Sequence, residues 1–370
     1  ANDAVVMRVE SPSPSYWRAN ALDQFTGDRW QGSQAFIRRV TGVLDNGMYV
    51  YEIPAAAATP PGPTVEATFS TQSVSTNYLF TGGDPQTLTI DQSVPLFMND
   101  MRALRVTAAL GPSLRYSLTT VMPELAPADL VGLGVDYPES VDKYLTLPFP
   151  RLADLAGEDR EATWRELMSD GDVGDQEWLE LYSLNERTVR EATDPYQITL
   201  RIEGYLRQLM YSLEPPASKY SSPYAAFLFD TRSGYCQHFS GAMAILLRFN
   251  GIPARVAVGF ATGKLESPGM YVVSRTNAHA WVEVYFPTVG WVPFDPTPGR
   301  NLPALGGSSS SPGFVNPFAE AVSPGSTTVT TEPRLPRNPD PGQIPTEGGG
   351  DTGRSWWSQA TWLPWVAGIV

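Results

Sequence analysis

One cysteine, Cys236, stands alone in a chain of 370 residues, so no intramolecular disulfide is open to it. Its surroundings constrain the local structure. Directly after it, Ala242-Met243-Ala244-Ile245-Leu246-Leu247-Arg248-Phe249 reads as a short helix. The helix is stopped by Asn250-Gly251 with Pro253 just beyond, the usual order of a C-terminal stop. Cys236 therefore falls at or near a helix N-terminus, where unpaired N–H groups and the positive end of the dipole favour an anion. A thiolate is such an anion, and the same N–H groups can stabilise the oxyanion formed when it attacks an acyl carbon. A small buried hydrophobe is the competing reading of a free cysteine.

The two histidines are His238 and His279. His279 lies in Asn277-Ala278-His279-Ala280-Trp281-Val282-Glu283-Val284-Tyr285-Phe286, which alternates as a strand does and puts His279, Trp281, Glu283 and Tyr285 on one face. A turn through Pro287-Thr288-Val289-Gly290 leads to a second short strand, Trp291-Val292-Pro293-Phe294, which ends at Asp295. The hairpin carries Asp295 back toward His279. Cys, His and Asp supply a thiolate, a general acid and base, and an orienting group for nucleophilic acyl transfer. The hairpin also carries a geometric requirement. A regular four-residue connection puts His279 and Asp295 on opposite faces, so a three- or five-residue connection or a bulge is predicted.

Five blocks in order now stand out: Gly234-Tyr235-Cys236, Gly251-Ile252-Pro253-Ala254-Arg255, His279-Ala280-Trp281-Val282-Glu283-Val284, Gly290-Trp291-Val292 and Asp295-Pro296-Thr297. In these blocks the chain resembles the transglutaminase-like superfamily, over about residues 196 to 298. The resemblance implies an α+β, papain-like core in which the Cys-bearing helix packs on an antiparallel sheet. It also implies Cys236 as nucleophile, His279 as base and Asp295 as the group that fixes the imidazole. More loosely, the chain resembles the extracytoplasmic region of bacterial membrane-anchored transglutaminase-like proteins. The expected activity is cysteine-dependent acyl transfer on protein glutamine carboxamides, of the protein-glutamine gamma-glutamyltransferase type, in the bacterial cell envelope. A cysteine peptidase or amidase and a non-catalytic envelope binding module are the alternatives.

The remaining polar residues are weighed against these three. His238 follows Cys236 by two, which on a helix points it elsewhere, so a structural role is expected. Glu283 reads as one half of a cross-strand salt bridge, and Tyr220 and Tyr224 as either cleft or packing residues. A zinc ion on Cys236, His279 and Asp295 suits ligand number alone. The near absence of other Cys or His makes it second to the nucleophile reading, and no cofactor or metal is expected. A net charge of −13, from 26 Lys and Arg against 39 Asp and Glu, argues against a nucleic-acid partner. A protein or peptide substrate is expected instead.

Five regions follow along the chain. Residues 1–122 carry β-branched and aromatic runs, as in Val5-Val6-Met7-Arg8-Val9 and Val65-Glu66-Ala67-Thr68-Phe69, punctuated by Gly27-Asp28, Asn46-Gly47 and Gly82-Gly83. An all-β domain, a sandwich or open barrel, is predicted there. Residues 123–195 read as a helical connecting region, with helical spacing over 160–168 and 178–184. An acidic stretch at 170–175 has calcium-loop spacing but lacks the glutamate of an EF-hand, so a solvated loop is expected. Residues 196–299 form the catalytic core, opened by Asp194-Pro195-Tyr196-Gln197 as an N-cap with Pro at the first helical position. A stripe of Ile198, Ile202, Tyr205, Leu206 and Leu209 follows. Strands at 254–260 and 270–275, with the His279 and Asp295 strands, are expected to make one sheet beneath the helix. Residues 300–355, with nine prolines after Asn301, read as a disordered spacer. Residues 356–370 carry four tryptophans ahead of an apolar run and are expected to be the start of a truncated membrane helix. The opening Ala1-Asn2-Asp3 lacks an initiator Met or signal peptide, so a longer, extracytoplasmic and membrane-anchored protein is expected.

Overall fold

The computed structural model describes residues 4–33, 38–74, 76–108, 110–148, 173–300 and 302, without the side chains of 173–175. The helical stretch expected over 160–168, the start of the acidic stretch at 170, and almost all of the 300–355 spacer and the 356–370 tail lie outside these residues.

Alternation of apolar and polar residues builds a wide antiparallel sheet in the N-terminal part. Its strands are β1 (Val5–Glu10), β3 (Gly42–Asp45), β4 (Met48–Glu52), β5 (Thr64–Thr71), β6 (Asp84–Ile90) and β7 (Arg115–Val121). Along β5, Val65, Ala67 and Phe69 point inward between more exposed neighbours. A second antiparallel sheet, from Arg38–Val40, Leu96–Met98, Leu104–Val106 and Tyr78–Leu79, closes the same core, in which Leu96 and Leu104 meet Phe69, Leu88, Tyr116 and Leu118. A two-layer antiparallel arrangement is thus present where the sequence predicts one.

The C-terminal part supplies helices α1 (Val173–Val189), α2 (Pro195–Leu206) and α3 (Cys236–Phe249), and strands β8 (Ala254–Phe260), β9 (Lys264–Ser267), β10 (Met270–Ser274), β11 (Ala278–Phe286) and β12 (Gly290–Phe294). Helix α2 starts as its sequence demands: the Asp194 carboxylate accepts from the Tyr196 and Gln197 N–H groups, and Pro195 occupies the first turn. Ile198, Ile202, Leu206 and Leu209 are buried in one core with α3. Helix α3 is apolar almost all round, and its Met243, Leu246 and Leu247 are fully buried. They rest on Ala280, Val282, Val284 and Phe286 of β11, each large side chain contributing about 1.5–3 kcal/mol by leaving water.

The sheet under α3 differs from the expected one in its membership. Its order is β2-β8-β11-β12, where β2 (Trp17–Leu22) comes from the N-terminal region. Strand β10 instead joins β1 and completes the wide sheet, in the order β9-β10-β1-β5-β7-β6-β4-β3. The physical reason lies after β8. Gly263 adopts φ +84, turning the chain away, and Tyr271 and Val273 of β10 are buried with Trp17 and Phe69. The two regions therefore exchange strands, and each completes the other's sheet.

Candidate active site

Helix α3 begins at Cys236, with Tyr235 as its N-cap in extended conformation. The thiol is buried, with 9% of the residue exposed. Close packing holds the helix in place: the Tyr224 ring lies under Gly241, where a Cβ would stand 2.5 Å from ring atoms.

His279 sits near the start of β11, paired with Gly259 of β8, and Asp295 follows the last residue of β12. Phe286 pairs with Gly290 and Val282 with Phe294, so the β11–β12 connection is the three residues Pro287, Thr288 and Val289. Gly290 at φ +98 supports this tight return. The register puts His279 and Asp295 on one face, as the sequence requirement demands, and His279 Nε2 lies 2.8 Å from Asp295 Oδ2. The Cys236 sulfur lies close enough to the imidazole to bear on its charge. The three predicted side chains therefore stand together as a Cys236–His279–Asp295 relay, with the bond from His279 to Asp295 in place.

Two tyrosines that the sequence reading did not single out complete the arrangement. The Tyr16 hydroxyl donates to Asp295 Oδ2 at 2.7 Å, while the Thr297 N–H donates to Oδ1 at 3.0 Å. The Tyr211 hydroxyl lies near Cys236, whose charge bears on it. Tyr211 is 44% exposed and stacks on Phe239 of α3 at a ring separation of 6.4 Å, so it borders the sulfur on the solvent side. Below the site, Arg207 donates to the Asp295 carbonyl at 2.7 Å and to the Arg300 carbonyl at 2.6 Å, fixing the segment that follows β12.

The electrostatics follow from burial and charge. Burial disfavours a charged His279, but the Asp295 carboxylate and the contacts with Cys236 outweigh it and push the imidazole up to about 10. Burial likewise disfavours ionised Asp295, yet His279, Tyr16 and the Thr297 N–H hold it below the ordinary carboxylate range. Tyr16 is pushed upward by burial and by the Asp295 charge, so it remains a protonated donor. Burial and the adjacent Cys236 sulfur push Tyr211 up to about 12. The site thus places a protonated imidazole, oriented by a carboxylate, beside a thiol at a helix start. That arrangement supplies the counter-charge for a thiolate and a proton for a leaving group.

The other residues weighed in the sequence have structural surroundings. His238 packs half-buried against Tyr235 and Phe227, accepts from the Tyr235 N–H at 3.4 Å, and is pushed down to about 4 by desolvation, so it stays neutral. Glu283 pairs with Arg255 across the strand at 2.7 Å and with Arg18 at 3.0 Å. Tyr224 packs under α3, and the Tyr220 hydroxyl donates to Glu180. Among the described residues, no group of three or more His, Cys, Asp or Glu is placed to hold a metal ion. A cavity of about 380 Å³ is lined by Arg18, Arg255, Trp281 and Glu283 on the sheet face away from α3, and Cys236 does not line it.

Residues 182–296, which contain the whole relay, match the transglutaminase-like superfamily, and residues 1–127 match the TgpA N-terminal domain. The core is a transglutaminase-like domain. Ahead of this domain lies the β-rich region, and the same order is found in a solved relative. The crystal structure of the periplasmic domain of TgpA from Pseudomonas aeruginosa matches with a TM-score of 0.55 and 25% identity, over 80% of this chain and 88% of that one. A Pseudomonas aeruginosa protein-glutamine gamma-glutamyltransferase is 51% identical over 88 residues, which are 24% of this chain and 13% of the relative. The uncharacterized Bacillus subtilis protein YebA is 50% identical over 90 residues, 23% of this chain and 12% of that protein. The transglutaminase-like stretch is thus a small share of the curated relatives' length.

Proposed function

We propose that this protein is a cysteine acyltransferase that acts on glutamine carboxamides of proteins or peptides outside the cytoplasm. The observation that carries the reading is the Cys236 sulfur at the first turn of α3, close to a His279 imidazole that is bonded to Asp295 at 2.8 Å. It is supported by the transglutaminase-like domain and by the name of the Pseudomonas aeruginosa relative.

In this reading the Cys236 thiolate attacks the glutamine side-chain carbonyl carbon. The oxyanion that forms is stabilised by the Cys236 N–H at the start of α3, with the nearby Tyr211 hydroxyl as a second donor. The His279 imidazolium gives its proton to the departing nitrogen, and ammonia leaves a thioester on Cys236. An incoming amine attacks the thioester, His279 takes the amine proton, and the thiolate departs, leaving an isopeptide-type amide. Water in place of the amine yields glutamate.

The periplasmic origin of the structural relative supports an extracytoplasmic position, with attachment to a membrane through segments flanking the described part. Among the described residues no helix is long and apolar enough to cross a membrane. The net charge of −13 supports a protein or peptide partner over nucleic acid.

The test is incorporation of a labelled primary amine into a glutamine-bearing protein. The wild-type chain should incorporate it, and Cys236→Ala should lose at least about a thousandfold of the rate. Full incorporation by Cys236→Ala sinks the reading, and cleavage of backbone peptide bonds without amine uptake replaces it with a peptidase.

A further inference from the structure

Tyr16 belongs to the N-terminal β-region, yet its hydroxyl reaches the carboxylate of the relay, 279 residues further along the chain. Its neighbour Trp17 is fully buried and packs edge-on against Phe69 at 5.6 Å, deep in the N-terminal core. The Trp17 indole N–H donates to the Thr262 carbonyl at 3.0 Å. Tyr16 lies with Ala257, Ala261 and Trp281 on the sheet face opposite α3, edge-on to His279 at 5.3 Å and to Trp281 at 5.2 Å. The close approach depends on Gly259: the β2–β8 register shifts at this residue, and a Cβ there would lie 2.1 Å from the Trp17 carbonyl oxygen.

We propose that Tyr16 is a positioning residue: its phenol O–H fixes the carboxylate that orients His279, and this makes the N-terminal β-region a working part of the catalytic site. Asp295 has donors on both oxygens. Thr297 N–H holds Oδ1, and the Tyr16 hydroxyl and the His279 ring share Oδ2. Without the phenol, rotation of the carboxylate toward Thr297 is no longer opposed from the N-terminal side. The charge on Oδ2, no longer shared, also falls wholly on the imidazole. The groups that bear on this pair are Cys236 at the start of α3, Tyr211, the guanidinium of Arg207 after α2, and Arg300.

The inference rests on the acyl-transfer reading for its rate prediction only. Its second readout needs no substrate, so the two fail separately. In the full chain, Tyr16→Phe keeps the ring and removes the hydroxyl. Its kcat for amine incorporation should fall about tenfold with KM unchanged, since the lost contact orients the base without touching substrate. The chain has two histidines, and His238 is held neutral by desolvation, so the His279 imidazole is readily followed by NMR against pH. Its midpoint should rise by about half a pH unit in Tyr16→Phe. Site-specific 3-fluorotyrosine at position 16, a stronger donor of nearly the same shape, should move the midpoint downward. That variant keeps the proposal testable even if Tyr16→Phe does not fold. A midpoint that stays at its wild-type value, or that moves the opposite way, overturns the proposal. So does wild-type kcat in a folded Tyr16→Phe protein.

Discussion

Replacing Asp295 with Asn should lower kcat by about 10³–10⁴-fold while leaving the fold in place. Asp295 now accepts from three donors: the His279 ring, the Tyr16 hydroxyl and the Thr297 N–H. An asparagine offers one oxygen and one NH₂ group in the same space. Whichever way it turns, a donor faces a donor, and the buried imidazole loses its anionic partner. The pH behaviour follows from the direction of the shifts. His279 is raised from 6.5 to about 10, so the stability contributed by the pair is complete below 6.5 and is lost as pH rises through about 10. In Asp295→Asn that window closes, and the alkaline limb of kcat/KM should move from about 10 down to 6.5 or below. Activity and urea denaturation, each followed from pH 6 to about 11, check both statements. An unmoved alkaline limb contradicts the assignment of the limb to His279.

Replacing Glu283 with Gln should destabilise the fold by about 3–5 kcal/mol, the largest structural effect expected from a single substitution near the site. Burial works to raise the Glu283 carboxyl, but Arg18 and Arg255 overturn it and hold it below the ordinary carboxylate range. With the charge removed, two buried guanidinium groups lose their shared counter-ion. Arg255 has its face on the Trp291 ring at 3.9 Å and is buried, as is Arg18 on β2. Burial already pulls Arg18 down to about 10 against the Glu283 charge that supports it. The check is the urea midpoint at neutral pH, which should fall while the slope stays constant. A midpoint within experimental error of wild type shows that water reaches this cluster.

The relay was legible because each of its parts is announced locally. The lone cysteine precedes a helix with a readable stop, one histidine lies in an alternating strand, and the hairpin parity ties Asp295 to the same face. The Asp194 cap and the α2 stripe were readable for the same reason: they depend on residues within one or two turns. The strand partners were not. Residue content marks 16–22 and 270–275 as strands, but which sheet each joins is set by burial of Trp17, Tyr271 and Val273 in a core shared with Phe69. Tyr16 was hidden for that reason, since its bond to Asp295 exists only after β2 has paired with β8. Tyr211 was hidden because only the pairing of Met210–Tyr211 with Ser233–Gly234 brings its ring toward Cys236. Arg248 is a further case: as the basic residue in the last turn of α3 it suits the helix dipole, yet it is fully buried. Its guanidinium donates to the carbonyls of Ala254, Thr146 and Asp23, which come together only in the folded chain.

The most direct measurement is the intact mass of the protein after brief incubation with a glutamine peptide and an acid quench. Because Cys236 is the one thiol in the chain, a thioester there should add the mass of the peptide less one ammonia, and a pulse of amine should return the protein to its starting mass. An unmodified mass at every time point, under conditions where iodoacetamide still labels Cys236, would contradict the assignment of this sulfur as the acyl carrier.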